Sequence, residues 1–190
     1  MVQLAAMPYV VSASLVTGRS PSFNEEGSRA MGRRAEELAA RVETGAALLA
    51  AYAAGLTDAE WNTRVRDGRT VGVVLHHVAS MYPIEIDVTR AIASGKAVEG
   101  VTWEAVADIN AKHAAEFAKV SKATALELLK RNSADAAAAV RKFSDAELDT
   151  AAPFSLSFDA PMTAQFVIED HALRHAWHHL ARIKSALGRQ

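Results

Sequence analysis

Three features of the sequence predict an all-helical fold. Forty of the 190 residues are alanine, the best helix former and a poor strand former. Apolar residues recur at three-to-four spacing over long stretches, the period of an amphipathic helix. Glycine (10) and proline (5) are too few for a loop-dominated chain. With half its residues apolar, a chain of this length can bury one full core, so a single domain is expected.

Residues 1–27 read as an irregular N-terminal arm running through the Gly18, Ser20, Pro21, Ser22 cluster, an extension ahead of an internal start such as Met31. Met1 to Thr17 is apolar and ends in small residues, as a signal peptide does. It has no positive n-region, since the first basic residue is Arg19, and Pro8 interrupts the apolar run. A cytoplasmic protein is therefore expected.

The bundle itself is expected over residues 28–190. A first helix over Ser28 to Ala54 places Leu38, Val42, Leu48, Leu49 and Tyr52 on one broad stripe. Thr57 and Glu60 form a capping box that opens a short turn at Asp58 to Trp61, before an exposed connector from Asn62 to Arg69. Thr70 caps a second helix that stops at Gly95 and is bent about halfway by Pro83. A helix-bearing stretch from Thr102 to Val120 leads to a third long helix over Ala123 to Phe143, and a fourth runs from Thr163, after Pro161, to Leu187. Residues 96–122 are too many for the short loop that joins antiparallel neighbours, so a long crossover separates the second and third helices. Residues 56–63 (LTDAEWNT) and 143–150 (FSDAELDT) echo each other, each after a long helix and ahead of a His-bearing one. Both hold a Ser/Thr-x-x-Glu box, so the echo reads equally well as two independent helix starts.

Composition excludes several functions. Lys and Arg (21) balance Asp and Glu (22), which argues against a nucleic-acid protein dependent on a basic face. No stretch reaches the ~18 uncharged apolar residues of a membrane span. Cysteine is absent, which removes disulfides, thiolate metal sites and a cysteine nucleophile, so any thiol chemistry must use a thiol from outside.

Histidine carries the sharpest signal. Six of the seven lie in two helices: His76 and His77 in the second, His171, His175, His178 and His179 in the fourth. Positions four apart on a helix are rotated by only about 40°, so His171, His175 and His179 form a slowly turning stripe, and two neighbours on it can share a metal. His175 and His179 have the spacing of the H-E-x-x-H zinc helix, but residue 176 is Ala and the general base of those proteases is missing. A third ligand is required. The second helix offers two, His77 near the edge of the stripe formed by Val71, Val74, Leu75 and Val78, and His76 about 100° away from it. The plainer alternative is one core-edge imidazole and one solvated one.

At these positions the sequence resembles a family. The string T-V-G-V-V-L-H-H-V-A, with Thr70 seven residues before His77, is similar to the [ST]-V-x5-H-[LIV]-A signature of the DinB/YfiT-like superfamily. H-A-W-H-H-L-A-R-I resembles its H-x3-H-x2-Q-I signature. The resemblance spans about residues 30 to 187 and implies an up-down-down-up four-helix bundle with a metal at one end of a cleft. It assigns the metal ligands to His77, His175 and His179 rather than His76. Arg182 stands where many members have Gln, which implies a different contact there, either to the residues behind the metal ligands or to substrate.

The family's characterised branches include enzymes that transfer or isomerise with low-molecular-weight thiols. The resemblance therefore implies a metal-dependent thiol S-transferase or isomerase, whose partners are a small-molecule electrophile and a thiol. Three neutral imidazoles leave a divalent metal open positions and its full charge; zinc is favoured, and nickel or iron also suits nitrogen ligands. A metal-dependent hydrolase is the alternative. A third reading is a non-catalytic, stress-associated metal-binding protein whose bundle serves to form a homodimer.

Asn110 and His113, three apart in the crossover, are candidate substrate contacts together with Arg182, against the plainer expectation of an exposed helical face. No catalytic residue is assigned. His178 is expected at the surface or an interface, Trp61 and Trp177 as core or interface anchors, and Glu169 and Asp170 either as carboxylates that orient a ligand imidazole through its second nitrogen or, equally, as charges in the first half of a helix favoured by its dipole.

Overall fold

A computed structural model describes residues 23–189, with side chains from residue 32 onward. The expected N-terminal arm lies mostly outside the described residues. The first helix, α1 (Phe23–Ala54), begins ahead of the expected Ser28. It is followed by α2 (Asp58–Trp61), α3 (Val71–Ala93), α4 (Trp103–Glu116), α5 (Lys122–Val140) and α6 (Asp145–Asp149). An antiparallel hairpin, β1 (Ala151–Phe154) and β2 (Ala160–Thr163), then leads into α7 (Ala164–Val167), a π-helical turn over Ile168–Leu173, and α8 (Arg174–Ala186).

Local chemistry sets most of these boundaries. Thr57 and Ser144 both close full capping boxes, with Glu60 and Glu147, so the two echoing segments start short helices by the same device. Thr70 accepts from the Val73 amide at the start of α3, and Gly95 (φ +75°) follows its end. Pro83 lies within α3 without ending it.

The hairpin was not expected. Its strands are short, alanine-rich and each contain proline, a composition that hides a strand from propensity. Register explains how they pair: Pro153 faces Pro161, at a position where neither residue needs to donate to the ladder. Val98 from the crossover adds to β1, its amide donating to the Pro153 carbonyl at 2.9 Å.

Side-chain contacts fix the helix directions. Arg34 reaches Gln165, Arg41 reaches Glu169, and Lys184 sits over the Tyr52 ring, so α1 and the α7–α8 segment run the same way. Arg141 at the end of α5 binds Glu36 and Glu43 of α1, whereas Lys122 at its start reaches the Leu56 carbonyl, so α1 and α5 are antiparallel. On the other side Arg182 meets Asp67 and His175 meets Glu85, which sets α3 antiparallel to α8. The order is up, down, down, up, with the α4 crossover joining the two parallel helices. Leu38, Val42 and Leu49 of α1, Val71, Val74, Leu75, Val78 and Tyr82 of α3, Leu129 and Val140 of α5, and Ile168 and Ile183 of the last segment form the buried core.

Two glycines mark close approaches. A Cβ on Gly72 would lie 2.5 Å from the Trp61 ring, and one on Gly45 would lie 2.8 Å from Trp177 Nε1. Trp61 is buried there and donates Nε1–H to the Val120 carbonyl at 3.1 Å, tying the α2 turn to the start of α5. Among the described residues no helix is long and apolar enough to cross a membrane.

Candidate metal centre

His77 sits on α3 beside its core stripe and is only 5% exposed; His179 on α8 is 4% exposed, and His175, one turn before it, is largely covered. One ring nitrogen from each of these three residues lies within 4.8 Å of the others. Nε2 of His77 and Nε2 of His175 are 3.2 Å apart. The three imidazoles thus converge from two antiparallel helices, as the i, i+4 pair on α8 allows.

Glu85, one of the few buried charged residues, holds this arrangement. Its Oε1 is 2.7 Å from Nδ1 of His175. A carboxylate only accepts, so Nδ1 of His175 carries the proton and its Nε2 is a bare lone pair aimed at His77. Nδ1 of His179 is buried with no hydrogen-bond partner. A buried imidazole nitrogen without a partner, beside a cluster of converging ring nitrogens, is costly in a protein interior and suits a cation. The donor set fits a divalent metal on those grounds.

Electrostatics agree. Burial, then the positive charge that His175 would carry, then Arg69, push His77 down to about 3. Burial, followed by His175 and His77, pushes His179 to about 2. Both rings are therefore neutral at physiological pH, the state in which imidazole ligates.

The other histidines separate. His76, the solvated ring of the plainer alternative, is instead 4% exposed: its ring stacks on Phe117 at 3.9 Å, and its Nδ1 is 2.9 Å from Nε2 of His113, whose ring also meets that of His77 edge-on at 5.6 Å. His113 also meets Ser80 Oγ at 3.1 Å. The plainer expectation for His113, an exposed helical face, is thus corrected: it pins α4 to α3. Asn110 and Arg182 do line the cavity beside the triad, a space of about 440 Å³ also bounded by His171, His178 and an apolar wall including Ile84, Val88 and Trp103. Arg182 donates to Asp67 at 2.9 Å.

Neither Glu169 nor Asp170 orients a ligand. Glu169 binds Arg41 and Asp170 binds Arg174, each at 2.9 Å. Glu85 had a legible signal: it follows Val78 by seven residues, within about 20° on a helical wheel, and so places a carboxyl on the apolar stripe of α3. The π-helical turn that carries His171 had none in the local sequence. Such turns often mark functional sites, and here it displaces the start of α8 relative to a regular helix ahead of His175.

The model of the DinB superfamily matches residues 16–183. The chain belongs to this superfamily. Among solved structures, this DinB-superfamily chain is similar to YfiT from Bacillus subtilis, described as a probable metal-dependent hydrolase with an unusual four-helix bundle topology. The TM-score is 0.54 at 17% identity, covering 96% of this chain and 95% of that one, a likeness of fold. No curated protein matches the chain.

Proposed function

We propose that this DinB-superfamily protein is an enzyme that holds one divalent metal, zinc in the first instance, on His77, His175 and His179 and acts on a small electrophile with an external low-molecular-weight thiol. The observation that carries the metal assignment is the 4.8 Å convergence of three imidazole nitrogens, one of them oriented by a buried glutamate. When bound, such a metal supplies a Lewis acid that lowers the pKa of a thiol or water and holds the resulting anion. The thiol comes from outside because the chain has no cysteine. The thiol reading rests on the family resemblance.

The chain's own residues have definable parts. Glu85 holds the proton on Nδ1 of His175 and leaves Nε2 free to ligate. Burial keeps His77 and His179 neutral. The cavity wall offers an apolar surface, Ile84, Val88 and Trp103, for the body of a small substrate beside the triad. Asn110 and Arg182, which line the cavity, are the substrate contacts of this reading.

Hydrolysis is the second reading, favoured by the description of YfiT. Elemental analysis of the purified protein, followed by mass spectrometry of products from an electrophile panel with and without added thiols, tests both. Thiol adducts that require the metal support the first. Hydrolysis products that form without thiol support the second, and activity indifferent to chelation removes both.

A further inference from the structure

The helix α3 carries two apolar faces, and the bundle core uses one of them. Leu75, Val78, Tyr82 and Ile86 are buried in the core. Met81, Ile84 and Val88 point elsewhere: at 100° per residue they fall within about 40° of His77 on the helical wheel, whereas the core face is centred more than about 100° away. His77, Met81, Ile84 and Val88 all line the cavity. Its floor along α3 is therefore one strip that starts at a histidine of the triad and continues with apolar side chains.

The protein leaves this strip open. Ile84 is 51% exposed, and Trp103 and Ile109, which line the same cavity from α4, are 58% and 54% exposed. Single exposed apolar residues are ordinary on a protein surface, but three large ones bordering one cavity mark a place where apolar matter binds. The charged groups beside the strip are paired: Glu85 Oε1 with Nδ1 of His175 at 2.7 Å, and Asp170 with Arg174 at 2.9 Å. Arg69 and Arg182 both bind Asp67, which precedes α3 and so lies on the other side of His77 from Ile84.

Length can be read from the helix. Ile84 is seven residues beyond His77 and Val88 is eleven, about 10 and 16 Å along the axis. An extended eight-carbon alcohol measures about 10 Å from its oxygen to its last carbon, so with the oxygen at the triad its end reaches Ile84. The cavity, about 440 Å³, has the size of a small-molecule site.

We infer that the substrate carries a hydrocarbon body about as long as an eight-carbon chain, seated on Met81 and Ile84 beside Trp103, with its reacting end at the triad. The inference rests on the metal-enzyme reading for the reaction, while the seating of the hydrocarbon rests on the strip alone. Ile84 and Trp103 are then specificity-determining residues, because each methylene laid against them removes apolar area from water on both sides.

Calorimetric titration of the metal-free protein with butan-1-ol, hexan-1-ol and octan-1-ol tests this. Full burial of a methylene is worth about fourfold in affinity, and a trough open on one side about twofold, so octanol should bind at least about 16-fold more tightly than butanol. Ile84→Asp should bring the two within about threefold of each other. Leu48→Asp, at an exposed leucine of α1 outside the cavity, should leave the series intact. Equal or undetectable binding of the three alcohols by the wild type overturns the inference, and that result needs no variant to fold. A series unchanged in folded Ile84→Asp, or flattened as much by Leu48→Asp, overturns it too. Zinc titration of the same preparations reads the metal centre separately. Chain-length dependence in protein that takes up no zinc supports the strip and removes the metal site; zinc uptake by protein that binds the alcohols equally does the reverse.

Discussion

His76 and His77 are consecutive residues on one helix, equally buried, yet they meet different partners and share only the edge of His113. His77 meets two histidines of α8, one of which is tied to Glu85. His76 meets one histidine and one phenylalanine of the crossover and holds α4 in place. A rotation of about 100° around the helix is all that separates them. What distinguishes the clusters is the second partner: three converging nitrogens around a space, or a nitrogen pair closed by an aromatic ring.

Replacing each neighbour in turn should break the comparison most sharply. His77→Ala removes one of the three proposed ligands, and its zinc affinity should fall by more than about 100-fold, beyond the 10–100-fold usual for loss of an outer-shell partner. The helical signal should persist, because Val74, Leu75 and Val78 supply the core of α3. Zinc titration with a competing chelator measures the loss. Wild-type affinity in folded His77→Ala would remove His77 from the site.

Glu85→Gln is the next largest change. The amide can still accept from Nδ1 of His175 but contributes no charge, so zinc affinity should fall by about 10-fold, near 1.4 kcal/mol. An unchanged affinity would reduce Glu85 to a packing residue.

Acid should weaken the triad through proton linkage. In the metal-free protein His77 is held near 3 and His113 near 4, against about 6.5 in an unfolded chain. Below pH 6.5 the unfolded chain takes up protons that the folded one refuses. The stability these rings contribute is present above pH 6.5 and is lost as pH falls toward 4 and then 3. Denaturant melts at pH 8, 6.5 and 5 should show a small fall in the upper interval and a much larger one in the lower. Bound zinc adds about 2.7 kcal/mol at 100 times its dissociation constant, so the loss of melting temperature on adding chelator should be larger at pH 7.5 than at 5.5. Equal shifts at both pH values would argue against a histidine site.

The difference between the two clusters also shows how far the sequence could be read. Periodicity and capping residues gave α3 and α5 nearly their observed limits because these signals are local: Thr70 caps α3 by bonding an amide three residues away. The i, i+4 spacing of His175 and His179 is local too. Choosing between His76 and His77 depended on which side of the edge of the apolar stripe each fell, and the family motif supplied what that angle could not. The contacts of His113, the orienting role of Glu85 and the hairpin at Ala151–Thr163 all depend on elements far apart in the chain.

The smallest effect on metal is expected from His76→Ala, and it sharpens the comparison because a different property should change. None of the 14 residues of α4 is fully buried, so few contacts hold this helix over the cavity. The His76 ring supplies two of them, the stack on Phe117 at 3.9 Å and the contact with His113 at 2.9 Å. Truncation to alanine removes both and leaves Nε2 of His113 with Ser80 alone. Zinc affinity should stay within about threefold of the wild type, since His76 contributes no nitrogen to the triad. Hydrogen exchange over residues 103–116 should speed up by about 10-fold, the equivalent of about 1.4 kcal/mol in local opening, while exchange in α5 stays unchanged. Zinc loss in His76→Ala as large as in His77→Ala would mean that the two assemblies act as one site. Unchanged exchange in α4 would mean that the crossover is held by its other anchors, such as the Ser155 hydroxyl, which donates to the Val101 carbonyl and accepts from the Val101 amide.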